Sequence, residues 1–293
     1  MAIYDCFTYF NEDLILDIRL NILDKYVHKF VIVEATRDHA GNYKKLNFNV
    51  NNFKKFKKKI EYIIVDDLPL DNYLYKKKNR HQNFIRENYQ RNCISRGLIK
   101  AGDEDLILIS DLDEIPNLSN LNFFKKEDKF ALFRQKYFRY KLNLAIPCNK
   151  EEKEVYKNNY RECIGSAVCV KKYLKSPQYI RNIRDKADKY IFRTKKKLFS
   201  FKYLFFNPKI INGGGWHFGY IQTPSLIAQK FKSFAHGELN TKENTDINII
   251  ISKLKKNVDI INPTVKLKKI KITNNEFPEY IVKNKKKFKK WII

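Results

Sequence analysis

Residues 2–10 (AIYDCFTYF) alternate in the manner of a β-strand. Residues 11–26 (NEDLILDIRLNILDKY) then place Leu16, Leu20 and Leu23 at helical spacing. Asn11 suits the N-cap of that helix, and Glu12 and Asp13 suit its first turn. Residues 29–35 (KFVIVEA) and 60–69 (IEYIIVDDLP) are nearly continuous apolar runs that end in acids, the pattern of strands buried on both faces. Between them, 43–58 is rich in Asn and Lys and predicts a loop or short helix.

A longer helix is predicted over 76–100. Arg80, Phe84, Glu87, Arg91, Ile94 and Leu98 form one stripe, and Ile85, Tyr89 and Cys93 a second. Gly102 ends it and a further apolar strand follows at 105–110. The order strand, helix, strand, strand, helix, strand within about 110 residues predicts an α/β domain with a mostly parallel central sheet, Rossmann-like in kind. In such sheets ligands bind beyond the carboxyl ends of the strands. Glu34, Asp66, Asp67, Asp111 and Asp113 all fall at such ends.

Downstream, 129–149 is strand-like and aromatic, 150–210 has no pattern that assigns elements, and 224–234 predicts a short helix. No internal repeat and no Pro/Gly-rich linker divides the chain. We expect one catalytic domain over 1–245 and a basic C-terminal extension over 246–293, packed on that domain or peripheral to it.

The chain carries 59 Lys+Arg against 32 Asp+Glu, a formal net charge of +27. That balance suggests nucleic acid or an anionic membrane as partner. The wealth of Asn and Ile beside Lys, the bias of an AT-rich genome, accounts for the charge more simply, and no helix-turn-helix, RRM or zinc-finger pattern is present. Nucleic acid is therefore not the expected partner. Lys283–Lys290 (KNKKKFKK) is a candidate for contact with an anionic membrane. The five cysteines form no CxxC pair, which suits reduced core thiols. The N-terminus has no basic n-region and no small-residue cleavage site, so the expected location is cytoplasmic, with the membrane inner face as a peripheral site.

Against that positive background, LILISDLDEIP (106–116) concentrates Asp111, Asp113 and Glu114 at a strand end. By itself such a triplet is most often a solvated turn or helix cap. On an extended segment, however, Asp111 and Asp113 point to one side and can share a hard cation, whose shell a ligand's phosphate oxygens complete. A second stretch, NGGGWHFGY (212–220), lacks the ending of a P-loop. Its glycines allow a close backbone approach to a ligand beside His217. His236 is weaker, with Glu238 beside it as a candidate proton acceptor; Arg80 and Arg91 are candidates for phosphate contact.

Together, DCFTYFNEDLILDIRL (5–20), FVIVEATRDHAG (30–41), LILISDLDEIP (106–116) and GGWHFGY (214–220) resemble, in order and spacing, the blocks of glycosyltransferase family 17. That is the family of the β-1,4-mannosyl-glycoprotein N-acetylglucosaminyltransferases, and the resemblance covers roughly residues 4–240. It implies a GT-A-like fold, a nucleotide-sugar donor (UDP-N-acetylglucosamine), a divalent metal (Mn²⁺ or Mg²⁺) and inversion at the anomeric carbon. Asp111 and Asp113 match the family's DxD acids. Asn11, Glu12 and Glu34 fall where GT-A enzymes hold the nucleoside, Arg91 would face the diphosphate, and His217 falls where a late metal or diphosphate ligand is supplied.

The expected reaction moves a sugar onto a hydroxyl of a glycan acceptor: a surface polysaccharide, a lipid-linked glycan or a glycoprotein glycan. Glu238 and Glu114 are the candidates for the base that deprotonates that hydroxyl. The alternatives are a metal-dependent phosphotransferase or nuclease, which also needs clustered acids, and a basic nucleic-acid-binding protein without catalysis.

Overall fold

A computed structural model describes residues 1–70, 79–119, 124, 128–148, 153, 159–193 and 209–293. The start of the helix expected over 76–100 lies partly outside them, as does much of 150–210.

The N-terminal pattern folds as the alternation and apolar runs predict. β1 (Ile3–Thr8), β2 (Lys29–Ala35), β3 (Ile60–Val65) and β4 (Leu106–Asp111) all run parallel, in the order β3-β2-β1-β4. β1, β2 and β4 are buried almost throughout, whereas β3, at the edge, is buried only at Val65. This is the expected α/β fold with a mostly parallel central sheet. Antiparallel pairing begins where β8 (Glu162–Val170) joins β4 and continues to the long β6 (Phe130–Arg139). Short β5 (Glu114–Pro116) and β10 (Gly215–Gly219) pair with each other, and β10 also lies parallel to β6, as does β9 (Lys209–Ile211), while β7 (Leu144–Ala145) pairs antiparallel with β6.

Alternate side chains of the sheet feed two apolar layers. Phe7, Phe30, Ile32 and Leu108 pack under α1 (Asp13–Leu23), which contributes Leu16, Leu20 and Leu23. Cys6, Val31, Val33, Ile107 and Ile109 pack on the other side with Ile94, Leu98, Ile180 and Ile183. The last two belong to a helix, Pro177–Arg193, here α3; the helix ahead of β4, Asn79–Asn92, is α2, continued by a 3₁₀ turn over Cys93–Leu98. The short helix expected near 224–234 is present as Pro224–Ser233, here α4.

The N-cap of α1 is Glu12 rather than Asn11. The Glu12 carboxylate turns back to accept from the amides of Phe10 (3.3 Å) and Asn11 (3.0 Å). Asn11 instead bonds Gln222 and Gln229 through its side chain.

The basic C-terminal segment lies against the first layer, where Phe277, Ile281 and Phe288 are buried with α1 and Phe138. Lys287 meets Asp17 at 2.6 Å, and the Leu142 amide donates to the carbonyl of Trp291. Among the described residues no helix is long and apolar enough to cross a membrane.

Candidate active site

In a sheet ordered β3-β2-β1-β4 the connections run one way from β1 to β3 and the other way to β4, so a crevice opens between the carboxyl ends of β1 and β4. Thr8 and Asp111, register partners at those ends, line a cavity of about 320 Å³. Tyr9 and Phe10 extend its wall from β1, and Arg37, Asp38 and His39 from the end of β2. Arg181 of α3, Lys230 of α4, and His217 with Tyr137 on β10 and β6 complete it.

Asp111 ends β4, and Asp113 sits in a two-residue turn between β4 and β5. The two acids are thus not neighbours along one extended strand, as the alternation had suggested, yet both reach the cavity. Fully buried Arg19 sets that turn. Its Nη1 donates to the carbonyls of Asp111 (3.0 Å), Leu112 (3.0 Å) and Glu114 (2.9 Å), and its Nη2 to Ser110 Oγ (2.6 Å). Buried Asp5 neutralises it.

Both acids are paired with cations. Asp111 meets Arg181 at 2.5 Å and Arg91 at 3.3 Å. Burial pushes its carboxyl up, but these guanidiniums outweigh that and hold it well below the usual carboxylate range. Asp113 faces His217 Nε2 at 3.6 Å and Lys230 at 3.9 Å, and is likewise held low against the effect of burial. His217 stacks on Tyr137 with ring centroids 4.3 Å apart, and its Nδ1 lies 3.4 Å from Cys163 Sγ. Burial pulls the imidazole down, but Asp113 foremost outweighs it and raises the group well above its ordinary value.

Among the residues singled out from sequence, Glu12, Asp111, Asp113 and His217 line the cavity. Asn11, Glu34, Arg91, Glu114 and Glu238 are not in its lining. Glu34 is fully buried, and its carboxylate accepts from the amides of Asn47 and Phe48, from Tyr62 and from Lys44. It fastens the 44–48 segment onto β2 instead of meeting a nucleoside. Arg91 stands behind Asp111, anchored to Glu87 (2.8 Å) and Gln178 (2.6 Å). Glu114 is buried beneath the turn, with its oxygens on Arg181 (2.8 Å), Arg184 (3.0 Å) and the Asp111 amide (3.0 Å). A carboxylate so occupied is not placed to accept a proton from substrate. Glu238 is exposed and accepts from His236 Nδ1 at 2.9 Å; His236 itself lines the cavity. Arg80 lies at the start of α2, its side chain outside the described residues.

Of the glycines before His217, Gly214 and Gly215 approach backbone, whereas a Cβ at Gly213 would meet nothing within 4 Å. Gly215 has φ +129°, and a Cβ there would stand 2.1 Å from the Ile115 carbonyl oxygen. Gly215 lets β10 lie close on β5, which is what brings His217 to Asp113.

Sequence reading missed Arg181, Lys230 and the Asp5–Arg19 pair. Arg19 left a signal, a charged residue set among Ile15, Leu16, Ile18 and Leu20 of a buried helix. Arg181 lies in the stretch whose pattern assigned no element.

The sequence model of glycosyltransferase family 17 matches residues 1–150. That span includes β1, α1, β2 and the Asp111–Asp113 turn. No curated protein matches the chain. Among solved structures, an inositol-1-phosphate CTP transferase from T. maritima is similar at 12% identity and TM-score 0.30, over 85% of this chain and 96% of that one. HddC from Yersinia pseudotuberculosis is similar at 9% identity and TM-score 0.29, over 74% and 90%. A putative glucose-1-phosphate thymidylyltransferase from Bacillus anthracis is similar at 8% identity and TM-score 0.32, over 74% and 88%. Likenesses this distant place no residue of the site.

Proposed function

The chain belongs to glycosyltransferase family 17, and from that premise we propose that its cavity takes the diphosphate of UDP-N-acetylglucosamine and passes the sugar, with inversion, to a hydroxyl of a glycan acceptor. One observation carries this reading: Asp111 and Asp113 share a cavity at the β1/β4 crevice with Arg181, Lys230 and His217.

A divalent cation fits the donor set. Mn²⁺ and Mg²⁺ are commonly held by one or two carboxylates, with substrate phosphate oxygens and water filling the other positions. Among the described residues no three or more His, Cys, Asp and Glu side chains stand ready as a cage. Asp111 and Asp113 are therefore the ligands we assign, as the sequence resemblance implies. His217 lines the cavity beside Asp113, its Nε2 3.6 Å from that carboxylate, and is assigned to phosphate oxygen. When bound, the cation neutralises charge on the departing diphosphate.

The chain's own groups do the rest. Lys230 sits between Glu12 (2.9 Å) and Asp113, so it stays charged and offers its ammonium to phosphate. Tyr9 and Phe10 present an apolar wall to the nucleoside. For the base, His236 replaces both sequence candidates. Its Nδ1–H donates to Glu238, which leaves Nε2 as the basic nitrogen for the acceptor hydroxyl. Glu238 thus acts through His236, and Glu114 supports the turn.

The acceptor class is inherited from the family resemblance. Exposed lysines at 283, 285, 286, 287, 289 and 290 support peripheral contact with an anionic membrane as a lesser part of the proposal. The test is thermal stabilisation by a panel of nucleotide sugars with Mn²⁺. UDP-N-acetylglucosamine is expected to raise the melting temperature most, and the absence of any shift across the panel would overturn the reading.

A further inference from the structure

We propose that Arg181 competes with the metal ion for Asp111, so that the cation enters only with the donor's diphosphate, onto which Arg181 moves. This rests on the donor site proposed above.

Both Asp111 oxygens are occupied, Oδ2 by Arg181 (2.5 Å) and Oδ1 by Arg91 (3.3 Å). A cation binding Asp111 has to displace a guanidinium or share its oxygen. Arg91 is the poor candidate to leave: it is tied to Glu87 and Gln178 and stands outside the cavity lining. Arg181 lines the cavity, and its departure does not strand its other partner. Glu114 keeps Arg184 on Oε1 at 3.0 Å and the Asp111 amide on Oε2 at 3.0 Å. Asp185, 3.9 Å from Arg181 Nε and 3.0 Å from Arg184, lies on the same helix and can follow the guanidinium.

Charge balance gives the same order. Asp111, Asp113, Glu114 and Asp185 already face Arg91, Arg181, Arg184 and Lys230, and Glu87 and Glu12 pair with the first and last of these. A lone dication would oppose those cations, and a lone diphosphate would meet the two aspartates. A dication with a sugar-linked diphosphate is nearly neutral as a pair, and each satisfies the groups that repel the other. A guanidinium fork is also suited to trade a carboxylate for a phosphate with little change of geometry.

The test is direct titration of Mn²⁺, with free ion read by electron paramagnetic resonance, on the wild type, Arg181→Ala and Arg181→Lys, each with and without UDP. The wild type is expected to bind Mn²⁺ about tenfold or more tightly with UDP than without, the size of one charge-assisted contact. Arg181→Ala is expected to bind Mn²⁺ alone more tightly than the wild type does, and so to show a smaller UDP dependence, the part that remains being the phosphate oxygens' own ligation. Arg181→Lys keeps the charge without the fork and should fall between them; it also serves as the readout if the alanine variant does not fold. Variants with native circular dichroism and unchanged or weaker affinity for Mn²⁺ alone would overturn the inference while leaving the donor site standing. A wild type that binds neither Mn²⁺ nor UDP would overturn the donor-site reading, and the inference with it.

Discussion

Arg19 and Asp5 are both fully buried and meet through two parallel hydrogen bonds, Nε to Oδ2 at 2.8 Å and Nη2 to Oδ1 at 2.6 Å. The remaining guanidinium nitrogen grips the carbonyls of the turn that carries Asp111 and Asp113. Removing one member of such a pair leaves the other charge buried and unmatched, at about 3–5 kcal/mol. Asp5→Asn is therefore expected to lower the melting temperature by roughly 10 °C, at a few degrees per kcal/mol for a domain of this size. Arg19→Lys retains the charge but not the fork. It should weaken donor binding more than it lowers stability, measured by calorimetry on both ligand and fold.

Gly215 lies at φ +129° with its α-carbon hydrogen directed at β5. Gly215→Ala places a methyl about where the Ile115 carbonyl now stands, so β5 and β10 have to separate. Stability is expected to fall by about 2 kcal/mol or more. Donor affinity should fall as well, because Asp113 and His217 sit on the two sides of that contact. Unchanged urea midpoint and affinity would show that the strand contact does not position them.

The proposed roles on the acceptor side separate by kinetics. His236→Gln removes the base and is expected to lower kcat about 10²-fold or more with little change in KM for the donor. Glu238→Gln keeps a hydrogen-bond acceptor for Nδ1 and should lower kcat less. A larger loss in Glu238→Gln than in His236→Gln would restore Glu238 as the base itself. Glu114→Gln should show its main effect on stability, because its partners are Arg181, Arg184 and the Asp111 amide.

Glu276 provides a pH test of how the C-terminal segment is held. Its carboxylate accepts from Lys136 (2.8 Å) and Tyr160, and its carbonyl accepts from Trp216 Nε1 at 2.7 Å. Burial pushes the carboxyl up, but the hydrogen bonds from Lys136 and Tyr160 outweigh it and the group titrates below its ordinary value. A depressed folded-state value contributes stability that is fully present above the unfolded value and lost as pH falls through the folded one. The stability gap between wild type and Glu276→Gln should then be about 1 kcal/mol at neutral pH, allowing for partial exposure. It should narrow as pH falls below the ordinary glutamate range and close once the folded-state carboxyl is protonated. A gap that persists in acid would assign the effect to packing.

In the parallel half of the fold, β2 and β4 were legible because they are buried on both faces and so read as nearly continuous apolar runs ending in acids; β1 was read from its alternation, and β3 from an apolar run of which the edge position buries only Val65. α1 was legible from its leucine spacing, although its N-cap was misplaced. A glutamate that bonds the amides behind it leaves no trace in local sequence. Asp113 was drawn onto a strand because alternation cannot register a two-residue turn. Arg181 stayed hidden for a different reason: its partner Asp111 is 70 positions away, and its own helix follows a stretch with no clear period. Lys230 and Glu12, 218 positions apart, meet only once the sheet is assembled. Charges that satisfy one another across the fold are set by topology, so composition and spacing do not reveal them.

Asp111 and Asp113 are the proposed ligands of a metal-bound nucleotide-sugar diphosphate. Titration calorimetry of UDP-N-acetylglucosamine with and without Mn²⁺, on wild type, Asp111→Asn and Asp113→Asn, tests that assignment most directly. Mn²⁺-dependent binding to the wild type is expected, weakened about tenfold or more in each variant with the fold intact. Equal affinity in all three proteins, with or without Mn²⁺, would contradict it.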